Sequence, residues 1–263
     1  MNKEIPDNKR DNPIKYYMEK LAGLDAQSIA ARCGLKSEGN KVFLTLLGTE
    51  YEIEVPSFER KMVSGDSTGL EQDNGVEESA EIKAAQRVDI SDKDGAGSAT
   101  VPSAQSLDLA QPRDPSQVLE QPRDYLADKN AQVLVLHFLT ESSFAPSNGK
   151  FISFREYPSG DLYFKAFEGR CLKRLAFSYG TKIDAFVKDC EVLNAKKIKG
   201  GDAAYEIGFF PGLSLQLMIW GPDEEFPPSA QILFSDNMPI SFSAEGVCGL
   251  CDVLIGALKK ANK

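Results

Sequence analysis

The chain has 263 residues, a formal net charge of −9 and a pI near 4.9, enough length for one large or two small domains. The negative balance excludes a sequence-independent nucleic-acid binder, which needs a cationic face, and it disfavours an anionic membrane surface. No apolar run approaches the roughly 18 residues of a spanning helix, and the opening MNKEIPDNKRDNPIKYY lacks the apolar core of a signal peptide.

Five cysteines, an odd number, fit a reducing compartment better than a disulfide framework. The expectation is a cytoplasmic protein without nucleic-acid or membrane partners.

The first elements are helical. A helix is expected from near Pro13, with Tyr16, Tyr17, Leu21 and Leu24 at helical spacing. A second runs from Asp25, its N-cap, to Cys33, with Gly34 as its stop. Residues 41–55, KVFLTLLGTEYEIEV, alternate on both sides of Gly48-Thr49 and predict a hairpin that Pro56 closes.

The composition then changes. Residues 59–124 contain no Phe, Tyr or Trp and carry 14 acidic against 7 basic residues, so most of the net charge lies there. Such a stretch buries too little apolar area to offset chain entropy, and it is expected to be disordered, with a transient helix at 78–88. QPRD occurs at Gln111–Asp114 and again at Gln121–Asp124, a local duplication or a short docking motif for a protein partner.

Beyond Tyr125, the apolar run Ala131–Thr140 predicts a buried helix beginning near Pro122, with His137 inside it as a satisfied core histidine. Phe151–Phe154 reads as a strand, and Pro158-Ser159-Gly160-Asp161 as a turn into Leu162–Phe164. Helices follow at Arg170–Tyr179 and Ile183–Leu193, then Lys196, Lys197 and Lys199 as a solvated helix end. Three strands come next, Tyr205–Phe210, Leu213–Trp220 and Gln231–Phe234, the first two joined at Pro211-Gly212. An amphipathic helix capped by Ser243 ends the series at Lys260.

This order predicts an α+β fold: an antiparallel or mixed sheet with helices packed on it, built by both halves and interrupted by a long disordered insertion. Residues 1–58 supply the N-terminal helices and hairpin, 59–124 the acidic insertion, and 125–263 the main portion of the same domain.

The candidate chemistry centres on GPDEEFPP, Gly221–Pro228, where three prolines stiffen a loop carrying Asp223, Glu224 and Glu225 beside Trp220. Converging with Asp202, these carboxylates are ligands for a divalent metal such as Mg²⁺ or Ca²⁺, or an acid and base pair. Otherwise they make a solvated turn, with Asp202 capping it and Phe226 and Trp220 buried. Arg155 and Glu156 form an ion pair at the sheet edge, and Arg155 joins the ligand-binding candidates. Gly200-Gly201-Asp202 reads as a plain turn rather than a phosphate cradle, since it lacks the remaining P-loop residues. Cys248 and Cys251, at i and i+3 on one helix face, are either core residues or half a metal site, completed by Cys171 or Cys190. No Ser/His/Asp triad is legible.

GGDAA at Gly200–Ala204, LSLQLMIW at Leu213–Trp220 and GPDEEFPPSAQILF at Gly221–Phe234 resemble a prokaryotic family known as domain of unknown function 3786. The likeness extends to FISFREYPSGDLYFKAF at Phe151–Phe167, to AQSIAARCGL at Ala26–Leu35 and to the N-terminal hairpin, omitting the acidic insertion. The resemblance implies an anaerobic prokaryote and a loose association with corrinoid or one-carbon metabolism, and no defined activity. Three readings stay open: a ligand-binding or accessory module without catalysis, a metal-dependent enzyme using Asp202, Asp223, Glu224 and Glu225, and a corrinoid or one-carbon accessory factor.

Overall fold

In this computed structural model the described residues are Lys9, 11–63 and 123–261. Helix α1 (Pro13–Leu21) starts on Asn12, whose side chain accepts from the Lys15 amide, with proline in the first turn, where its missing N–H costs nothing. Helix α2 (Ala26–Cys33) is capped by Asp25 and ends on left-handed Gly34, as its sequence predicts.

The N-terminal hairpin forms between β2 (Lys41–Leu46) and β3 (Thr49–Glu54). Two short strands flank it, β1 (Lys36–Glu38) and β4 (Arg60–Met62), in the antiparallel order β1-β2-β3-β4. Strand β4 falls within the stretch expected to be disordered: Arg60 pairs with Ile53, and the Arg60 guanidinium reaches the Leu126 carbonyl at 2.9 Å. The expectations for 64–122, including the 78–88 helix and the first QPRD copy, lie outside the described residues.

A 3₁₀ turn (Tyr125–Ala127) precedes α3 (Lys129–Glu141), which starts on the Asp128 cap instead of near Pro122. Strand β5 (Phe151–Ser153) follows. The predicted turn into Leu162–Phe164 is instead helix α4 (Gly160–Phe167), which continues through a π turn (Glu168–Lys173) into α5 (Arg174–Tyr179). The run Leu162–Phe167 is apolar almost throughout and too short for periodicity to separate helix from strand. Packing decides for helix, burying Phe167 against Phe154 with ring centroids 4.0 Å apart and aligning it with buried Cys171 and Leu175.

Helix α6 (Ile183–Val192) leads to the second sheet, in the order β5-β9-β8-β7-β6 and antiparallel throughout. Its members are β6 (Lys196–Lys197), β7 (Ala203–Phe210), β8 (Leu213–Trp220) and β9 (Ser229–Ser235). Lys196 and Lys197 therefore belong to an edge strand rather than a helix end, and lysines on an edge discourage further pairing. Leu213, Leu215, Leu217 and Ile219 are all buried, each worth roughly 1.5–3 kcal/mol. The alternate residues Ser214, Gln216, Met218 and Trp220 are half-buried.

The fold is thus α+β with two antiparallel sheets rather than one shared by both halves. They meet where the Leu47 amide donates to the Phe209 carbonyl at 3.1 Å. A short helix α7 (Met238–Ser241) precedes α8 (Ala244–Leu258), capped by Ser243 as predicted. Helix α8 is not amphipathic: ten of its fifteen residues are buried, because α3, α4, α6 and the π turn pack around it.

Candidate functional site

The GGDAA turn lies against the start of the acidic loop. Gly201 takes φ +53°, and a Cβ there would stand 2.5 Å from the Ile219 carbonyl oxygen, so the position admits only glycine without rearrangement. That close approach lets the Asp202 amide donate to the Ile219 carbonyl at 2.8 Å. The Asp202 carboxylate accepts from the Gly221 amide at 2.7 Å. A Cβ on Gly200 would stand 3.1 Å from the Met218 sulfur, so Met218 packs against this side of the turn.

Asp223 closes the loop on itself. Its Oδ1 accepts from the Glu225 amide at 2.9 Å and the Phe226 amide at 2.6 Å, while its own amide donates to the Phe226 carbonyl at 3.0 Å. This side-chain turn explains an aspartate at that position. At the far end, Pro228 packs on Gly180, where a Cβ would collide with the proline ring and lie 2.7 Å from the Ala176 carbonyl oxygen. An open cleft of about 650 Å³ adjoins the loop, lined by residues 180–185 and Pro222.

Glu224, Glu225 and Phe226 face outward. Phe226 is 66 % exposed, so the prediction that it is buried is corrected, and Trp220 is only half-buried. Neither the Glu224 nor the Glu225 carboxylate has a hydrogen-bond or ion-pair partner among the described residues. There, too, no group of three or more His, Cys, Asp or Glu side chains is placed to hold a metal ion.

Arg155 lies elsewhere and does not pair with Glu156. Its guanidinium sits 3.5 Å from the Phe164 ring centroid and 3.4 Å from Asp161, while the Glu156 carboxylate accepts from the Ser153 amide at 2.7 Å. The two residues turn to different partners because Glu156 is within reach of its own strand end.

Cys248 and Cys251 share a buried face of α8, and the π turn brings Cys171 to them, its Sγ 3.9 Å from the Cys248 carbonyl. The hydrogen bond from Cys171 and burial push the Cys248 thiol up. For Cys171, the bond with Cys248 lowers the value, but that with Cys251 and burial outweigh it and push the thiol up. Burial likewise raises Cys190, which sits apart against Asp189.

The hub that sequence reasoning missed is Glu141. His137 is held at both ring nitrogens: Nε2 donates to the Ser241 carbonyl at 3.1 Å and Nδ1 lies 3.0 Å from the Tyr17 hydroxyl. Glu141 Oε2 stands 3.2 Å from the same Nδ1 and 2.9 Å from Lys9 Nζ; Oε1 takes the Tyr16 hydroxyl at 3.2 Å and is paired with Lys20. The hydrogen bond with His137, and then those with Lys20 and Lys9, hold the Glu141 carboxyl far below the usual range against the opposing effect of burial. The available signal was the i, i+4 spacing of His137 and Glu141 on one helix face.

A family model, described as a domain of unknown function (DUF3786), matches residues 111–257. The chain belongs to this family. The family's span holds Asp202, the acidic loop, the cysteine trio and Glu141, and it leaves out the N-terminal sheet, which the resemblance had included. No curated protein and no solved structure matches the chain.

Proposed function

We propose that the chain is a ligand-binding or accessory module without catalytic activity of its own, and that the loop at 221–228 is its presenting element. One observation carries this reading: Asp202 and Asp223 spend their carboxylates on backbone amides of the loop, leaving Glu224, Glu225 and Phe226 displayed on a preformed support. Carboxylates serving acid–base chemistry would aim at a common point in a pocket. A preformed loop with an exposed aromatic lowers the ordering cost of binding.

A thermal-shift screen with Mg²⁺, Ca²⁺, Zn²⁺, cobamides and nucleotides tests it, since any ligand of the folded state raises the melting temperature. The expected result is a shift that Phe226→Ala and Glu225→Gln each reduce. A ligand that shifts these variants as much as the parent removes the loop from the reading. One observation favours the metal-dependent enzyme: Asp202 is brought to the mouth of the loop. A Mg²⁺ or Ca²⁺ shift lost in both Asp223→Asn and Glu225→Gln would move the assignment there. A cobamide shift would favour the corrinoid accessory factor.

The domain division belongs to this proposal. Residues 59–124 are read as an insertion within one domain, because their flanks meet: the Tyr51 hydroxyl is 3.2 Å from the Arg123 carbonyl and accepts from the Tyr125 amide at 2.7 Å. Among the described residues no helix is long and apolar enough to cross a membrane. The five buried, unpaired thiols support a reducing compartment, and the cytoplasm is proposed on that ground.

A further inference from the structure

From Gly160 to Tyr179 the chain is helical without a break, α4 passing through the π turn into α5. At about 1.5 Å per residue this rod spans roughly 30 Å. Its inner side is packed through Phe167, Cys171 and Leu175. Its outer side is bare. Leu162 is 84 % exposed and Phe177 72 %, and Ala166, Gly169 and Lys173 between them are exposed as well. Steps of three and four residues keep these five on one stripe.

The stripe is symmetric about the point between Gly169 and Arg170. Leu162 stands seven residues before Gly169, and Phe177 seven after Arg170; Ala166 stands three before, and Lys173 three after. An antiparallel copy therefore sets Leu162 against Phe177 of the second chain at both ends at once, the self-matching required of a two-fold interface. No atom lies within 4 Å of where a Cβ on Gly169 would stand. Glycine inside a helix costs about 1 kcal/mol relative to alanine, and a helix crossing here at close range gives that position a use.

Charge beside the seam is partly offset within each chain: Arg170 and Arg174 share the Asp252 carboxylate, the latter at 2.8 Å, and Lys173 lies 3.4 Å from Glu168. An aromatic side chain covers roughly 150–250 Å², so Phe177, Leu162 and the smaller residues between, taken from two copies, remove roughly 1,000 Å² in total, the lower bound for a specific interface.

We propose that the outer face of residues 160–179 is a homodimer interface: a second copy packs antiparallel on it at a shallow angle, with the two-fold axis between Gly169 and Arg170. Sedimentation equilibrium of the full chain between about 1 and 100 µM is expected to show mass rising toward the dimer, as suits an interface of this size. Leu162→Asp and Phe177→Asp each return it to monomer with the melting curve retained, both positions being exposed. Gly169→Cys, oxidised in the full chain, is expected to give a disulfide-linked dimer, because the axis passes beside position 169 and brings its two copies close, while the five native cysteines are buried. A monomer at 100 µM overturns the proposal. So does a dimer that either aspartate variant leaves intact, or a dimer in which Gly169→Cys fails to cross-link.

Discussion

Glu141 and the loop at 221–228 use the same side-chain chemistry in different surroundings. Glu141 is half-buried and collects His137, Lys9, Lys20 and Tyr16, so that α1 is tied to α3 by charge. The loop's carboxylates are exposed, and two of the four bind backbone amides rather than cations. Low local dielectric makes the first cluster a structural clamp, whereas water screens the second and leaves its remaining charges free for another molecule. Ion-pair formation alone therefore does not mark a site; the unspent groups do.

The largest expected effect breaks the clamp. Glu141→Ala leaves Lys9 and Lys20 without their carboxylate and removes one contact from His137, and should cost about 2–3 kcal/mol in chemical denaturation, the loss of hydrogen bonds to a charged group. The pH dependence follows from the depressed carboxyl. Its folded value lies below the unfolded value of about 4.3, so its contribution is fully present above that pH and is lost as the pH falls below it. The stability gap between the parent and Glu141→Gln should thus narrow between about pH 5 and pH 2. A gap constant over that range would mean that the clamp is not ionic.

Next come the contacts that hold the loop. Gly180→Ala drives a Cβ into Pro228 and should cost about 1–3 kcal/mol, the usual penalty of overpacking. Asp202→Ala frees the Gly221 amide and should cost about 1 kcal/mol. The two substitutions touch one loop from opposite ends, so a double-mutant cycle should show coupling. Strict additivity would mean that the loop is not a single rigid unit.

What was legible in the sequence divides along the same line. Local signals were enough for Asp25, Gly34, Ser243 and the strand alternation in β8, because capping and period-two burial act over a few residues. Asp202 as the cap of a turn was legible from the turn residues, whereas its partner, the Gly221 amide, was not, since that depends on β7 and β8 bringing Gly201 onto Ile219. Helix α4 was missed because an almost wholly apolar hexamer has no period to read. Glu141 was missed because three of its partners, Lys9, Tyr16 and Lys20, come from α1 and the residues before it, more than a hundred positions away. The buried circumference of α8 was likewise invisible, since its glycines and cysteines are small enough to pass for a polar face.

The smallest expected effect is the most informative about function. Glu224→Gln and Glu225→Gln alter exposed groups that hold nothing in the fold, so each should leave stability within about 0.5 kcal/mol of the parent. If either costs much more, the side chain is structural, and the contrast with Glu141 collapses. If both are neutral while a ligand-induced thermal shift falls, stability and binding have been separated on one loop. That separation is expected only where a scaffold has been built first and its exposed groups left over, the arrangement that Asp202, Asp223 and Gly180 make around Glu224, Glu225 and Phe226.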